Sequence, residues 1–99
     1  MSEFLKRFGE GIGGAFADLE RRAREVLDLT AKVRLLVAEE EKEHVLSATY
    51  VEDTLVIVTD SAVWATRLHY DQQRLLEELH RSGETQAARL RVRVGARTE

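Results

Sequence analysis

Ninety-nine residues, 43% of them hydrophobic and 33% charged, suit one small folded domain and argue against a disordered chain. The absence of cysteine excludes a disulfide framework and a thiolate metal site. Fifteen basic against eighteen acidic side chains leave a net charge of −3. Nucleic-acid binders usually show a basic excess, so any such surface here has to be local.

In the first fourteen residues Phe4, Leu5, Phe8 and Ile12 recur at helical spacing, while glycines at 9, 11, 13 and 14 oppose a stable helix. Residues 1–14 therefore read as a mobile arm, and 15–96 as the single domain. The arm is expected to pack on its own core or to pair with a second copy. Lys6 and Arg7 are too few basic residues for membrane contact, and no apolar run approaches a membrane span.

From Ala15 the spacing predicts an amphipathic helix. Phe16, Leu19, Ala23, Val26 and Leu27 form an apolar stripe, Val33, Leu36 and Val37 continue it, and Glu20, Arg21, Arg24 and Glu25 supply a wet face. Asp28 to Thr30 fit either mid-helix or a helix end with a new N-cap. The helix is expected to stop near Ala38, because the carboxylates of "EEEKEH" oppose the macrodipole at a helix C-terminus. The glutamate run lacks the glycine and alternating oxygen ligands of a calcium loop, and reads as a solvated loop.

Val45 to Val51 reads as a strand, Glu52-Asp53 as a tight turn and Leu55 to Thr59 as the antiparallel return. Asp60 or Ser61 caps a second helix, whose buried stripe is Trp64, Leu68, Leu75, Leu76 and Leu79. Gly83 ends it as the left-handed residue beyond the C-cap. In the last strand Leu90, Val92 and Val94 alternate with Arg89, Arg91 and Arg93. The order is α-β-β-α-β: an α+β fold with helices packed on one face of a small three-stranded sheet. Trp64 falls in the first turn of the second helix. It reads as a core anchor joining helix to sheet, the alternative being a partly exposed indole for base stacking or partner docking.

The block Leu55-Val56-Ile57-Val58, Asp60-Ser61, Trp64-Ala65, Leu68 resembles the DciA-like family of bacterial proteins that load or assist the replicative DNA helicase. The likeness continues through "LLEEL" (Leu75 to Leu79) and "RLRVRVG" (Arg89 to Gly95), and covers residues 30 to 95. Ser61, Trp64, Ala65 and Leu68 carry the motif. The resemblance implies a KH-like domain and a cytoplasmic, non-enzymatic role beside the replicative helicase, with single-stranded DNA as a second ligand.

Arg89, Arg91 and Arg93 project to one face of the last strand, and Arg97 extends the row. Guanidinium groups at alternate positions can track phosphates. The equal alternative is a solvated face, or charges that keep an edge strand from pairing. Arg67 and Arg74, with Arg81, recur every seven residues on the second helix, as a basic stripe or an ordinary wet face. "GIGG" at Gly11 to Gly14 matches the GXXG of KH loops by letter. It precedes the first helix instead of joining two core helices, so it reads as coincidence. His44, His69 and His80 share no ligand spacing. Ser61 has no elbow motif, and nothing assembles a nucleophile, a base and an oxyanion site. No catalytic residue, cofactor or metal is expected. The expected role is a non-catalytic adaptor that binds helicase and, weakly, single-stranded DNA. The alternative is a protein–protein or self-association module, such as a homodimer through the arm, with no nucleic-acid role.

Overall fold

In the computed structural model, backbone is described over residues 3–95 and side chains over 15–95. Its longest element is the helix α1 (Glu3–Leu36). At a rise of about 1.5 Å per residue, 34 residues make a rod of about 51 Å, which accounts for the longest dimension of the molecule, 53 Å. Asp28 to Thr30 lie mid-helix, and the helix ends before the glutamate run. Backbone over most of the 1–14 arm belongs to this helix. The packing of Phe4, Leu5, Phe8 and Ile12 lies outside the described residues.

Residues 16, 19, 23, 26, 30, 33 and 37 follow an unbroken three–four alternation, the spacing of a coiled-coil seam. The molecule uses only the C-terminal half of it. Thr30, Val33 and Val37 are buried, with Leu29 beside them, whereas Leu19 is 60% exposed. The predicted apolar stripe runs from Phe16 through Val37, and only its C-terminal part is buried. The sheet and its helices reach only the second half of α1, so the first half projects beyond the core.

A short 3₁₀ helix follows, Glu39–His44. It is not a solvated loop throughout, because Glu41 is buried in it. The sheet is built from β1 (Val45–Val51), β2 (Thr54–Thr59) and β3 (Arg89–Val94) in that spatial order. β1 and β2 are antiparallel around the Glu52-Asp53 turn, and β2 and β3 are parallel. A parallel pair requires a long crossover. Here it consists of α2 (Ala62–Tyr70) and α3 (Gln72–Arg81). The predicted second helix is thus two helices meeting at Asp71, whose backbone sits at φ −94°, ψ 5°. The α-β-β-α-β order holds with its second α divided.

Caps close as the sequence indicates. The Ser61 hydroxyl accepts from the Trp64 N–H at 3.4 Å. Gly83, at φ 100°, ends α3: its N–H donates to the His80 carbonyl and the Glu84 N–H to the Leu79 carbonyl, the paired bonds of a Schellman motif.

The outer edge of β1 is sealed by α1. Thr30 Oγ1 donates to the Val26 carbonyl (2.6 Å) and accepts from the Ala48 N–H (2.9 Å). One turn on, Arg34 donates to the Val45 carbonyl through Nε (3.1 Å) and a terminal nitrogen (2.6 Å). Beneath this edge Leu55, Ile57, Leu68, Leu75, Leu79, Val33 and Val45 form the fully buried core.

A polar tie joins α1, β1 and the segment after α3. Lys32 Nζ and Tyr50 Oη each donate to a different Glu84 carboxylate oxygen at 2.9 Å. The Lys32 bond, then the Tyr50 bond, hold the Glu84 carboxyl below its ordinary range, against a smaller opposing effect of burial. A depressed carboxyl stabilises the fold above its unfolded pKa, and that contribution disappears as pH falls through the carboxylate range. Glu84→Gln is expected to cost about 1 kcal/mol at pH 7. Urea titrations of the two proteins should converge near pH 3.

Candidate nucleic-acid interface

Helices cover one face of the sheet; on the other, which we term the open face, the outer rows are exposed or half-buried while Val56 at its centre is buried. The strand register places three rows on that open face: Ser47, Val58 and Arg93; Thr49, Val56 and Arg91; Val51, Thr54 and Arg89. None of the nine positions is acidic. Arg89, Arg91 and Arg93 are exposed, and none forms an ion pair among the described residues. Alternate residues of a strand stand about 6.6 Å apart, so the guanidinium groups make a regularly spaced cationic row along β3. At its far end Gly95 brings β3 close to β2: its N–H donates to the Thr59 carbonyl at 2.8 Å. A Cβ there would stand 2.7 Å from Val58 Cγ1.

The other predicted arginines do not join this row. Arg97 lies outside the described residues. Arg67 and Arg74 belong to the helix layer, on the opposite side of the sheet. Arg74 Nε donates to the Asp71 carboxylate at 3.0 Å, and a terminal nitrogen reaches the Leu36 carbonyl at 3.4 Å. Arg67 lies over the Trp64 ring, its guanidinium carbon 5.1 Å from the ring centre.

Trp64 is half-buried and is not sealed in the core. His44 stacks on it with ring centres 4.2 Å apart and planes 10° from parallel. His44 Nδ1 sits 3.0 Å from both Asp60 carboxylate oxygens, which fixes the ring. One turn along α2, Leu68 is 1% exposed and is the side chain that bolts helix to sheet. Ala65 beside it is half-buried. The indole finishes the rim of the core, and His44 and Arg67 occupy it where a base would otherwise stack.

In a KH domain the phosphate-clamping GXXG loop joins two helices. Here α2 and α3 join at Tyr70-Asp71-Gln72, with no glycine, and Gly11 to Gly14 lie within α1. The junction borders a shallow groove of about 340 Å³ lined by Glu40, Glu41, Arg67, Tyr70 and Asp71. Glu41 Oε2 is buried without a hydrogen-bond partner. Burial first, and then the Asp71 charge, push its carboxyl above the ordinary range. With three carboxylates and one guanidinium in its lining, this corner is a poor match for phosphate. A carboxyl raised by folding favours the folded state most when protonated, so its cost grows as pH rises through the carboxylate range. Glu41→Gln is expected to stabilise the protein by about 1 kcal/mol at pH 8, or about 4–8 °C in Tm, with the gain vanishing near pH 4. Thermal melts at the two pH values check this.

His69 is exposed, and His80 Nε2 donates to the Ala87 carbonyl at 2.6 Å. Among the described residues no cluster could hold a metal ion. No helix in the described part is long and apolar enough to cross a membrane.

The fold and its exposed face define a class: a KH-like α+β domain that lacks the KH phosphate loop and carries its cationic row on the open side of the sheet. The chain belongs to the DciA family, whose model, described as Dna[CI] antecedent, matches residues 2–92. That family of loaders and adaptors has a role in bacterial DNA replication connected with helicase loading. No curated protein matches the chain.

Sequence reasoning found the arginine row but not its neighbours. The alternation in "VLSATYV" could have placed Ser47, Thr49 and Val51 together. Nothing local pairs them with Val56, Val58 and Thr54, because register is a tertiary property.

Proposed function

We propose that this chain is a non-catalytic, cytoplasmic adaptor in bacterial DNA replication that binds the replicative helicase and holds single-stranded DNA weakly along β3. Family membership supports the helicase half. The observation that carries the DNA half is the row of Arg89, Arg91 and Arg93 on a sheet face whose nine strand positions include no carboxylate. None of those nine positions is aromatic, so they offer a base nothing to stack on. Binding through phosphates alone is sequence-tolerant, weak and salt-sensitive. Affinity capture from a bacterial lysate tests the helicase half. Recovery of the replicative helicase by the wild-type chain supports the reading, and its repeated absence refutes it.

A second reading rests on the projecting half of α1. Leu19 and Ala23 are exposed along a seam whose continuation, Thr30, Val33 and Val37, is buried in the same molecule. A second copy pairing along that seam would give a homodimer, with residues 1–14 lengthening the contact. Size-exclusion chromatography with light scattering, with and without residues 1–14, decides it. A monomer in both cases removes this reading.

A further inference from the structure

The two edges of the sheet are treated differently. Thr30 and Arg34 close the edge of β1, but no described residue bonds the outer edge of β3. Arg89 N donates to the Asp53 carbonyl and Gly95 N to the Thr59 carbonyl. With the parallel register this turns the backbone groups of Arg89, Arg91 and Arg93 toward β2. The N–H and C=O groups of Leu90, Val92 and Val94 therefore point outward, an open template for another strand.

We propose that this edge takes up an extended acidic segment of a partner protein as a fourth strand. Side chains of an added strand would alternate between two environments. On one side they would meet a groove of about 350 Å³ between α2 and the β3 edge, lined by Ala65, Thr66, His69, Tyr70 and Val92. Tyr70 there is 85% exposed, and nearby Val94 is 55% exposed. On the other side they would lie beside Arg91 and Arg93, where opposite charge is favourable and like charge is not. The fitting segment alternates apolar residues with aspartate or glutamate. A second copy of β3 is a poor occupant, because self-pairing sets arginine beside arginine. Nucleic acid has no peptide N–H or C=O to complete the ladder, so it can use the guanidinium groups but not the edge. This mode of recognition draws affinity from main-chain bonds and specificity from alternate side-chain positions.

The test uses the whole chain and labelled seven-residue peptides of glutamate and valine. One alternates the two residues, and one groups them at equal composition. Anisotropy is expected to show the alternating peptide binding at least about tenfold more tightly, a gap that roughly two favourable cross-strand side-chain pairs supply. N-methylating one alternate set of its amides should remove that advantage, and methylating the other set should not, because only one set faces the ladder. Amide exchange at Leu90, Val92 and Val94 should slow on binding. Equal binding by both peptides, equal effects of the two methylation patterns, unchanged exchange at those amides, or no binding would each overturn the proposal. Binding of a DNA oligonucleotide is measured separately, so either reading can fail while the other stands.

Discussion

Replacing Arg89, Arg91 and Arg93 together with alanine is expected to weaken binding of a labelled single-stranded oligonucleotide at least tenfold at about 50 mM salt, by removing the cations that displace condensed counterions. If three phosphates are neutralised, log K should fall against log salt with a slope of about −2 for the wild type. Raising salt fourfold then weakens wild-type binding roughly 20-fold, while the triple variant loses most of its salt dependence. These side chains are exposed and form no ion pair among the described residues, so the variant should keep its circular dichroism and melting temperature, which separates loss of binding from loss of fold. Arg67→Ala is the internal control. That arginine lies over Trp64 in the helix layer, and its removal should leave the DNA affinity unchanged. Equal binding by wild type and triple variant, or no binding by either, would remove the DNA half of the proposed function.

How much of this was legible beforehand depends on whether the information was local. The hairpin, the Ser61 cap, the Gly83 terminus and the alternation in "RLRVRV" are written in adjacent residues, and the structure keeps all of them. The break at Asp71 left no sign, since Tyr70-Asp71-Gln72 contains neither glycine nor proline and the apolar spacing runs across it. Burial along α1 misled for a different reason. Periodicity shows which stripe of a helix can be buried, but not how far along the rod the rest of the molecule extends. Leu19 and Val33 lie on the same seam, yet one is 60% and the other 1% exposed. The candidate site followed the same rule. The arginines of β3 could be read in order along one strand, whereas gathering Arg67 and Arg74 with them required a layer assignment that spacing cannot supply. Glu41 shows the converse, a carboxylate inside a charge run whose burial depends on helices far along the chain.

The α1–β1 seal carries the largest expected stability effect among single polar substitutions. Thr30 is 5% exposed, and its hydroxyl serves two backbone groups at once. Thr30→Val keeps the shape and removes the oxygen, so the buried Ala48 N–H loses its partner. An orphaned buried donor costs about 1–3 kcal/mol, and the wild-type stability of so short a chain has little to spare. A loss near 2 kcal/mol corresponds to a fall in Tm of roughly 8–16 °C. Thr30→Ser restores the acceptor and gives up only a methyl, worth about 0.8 kcal/mol. The ranking wild type, serine, valine is therefore expected in thermal melts. The Ala48 amide should exchange faster with solvent in the valine variant alone. If valine proves as stable as threonine, the hydroxyl relay is not what holds α1 against the sheet, and the seal must rest on Arg34 and the packing of Val33 and Val37. Serine falling as far as valine would show that the methyl matters as much to the seal as the hydroxyl relay does.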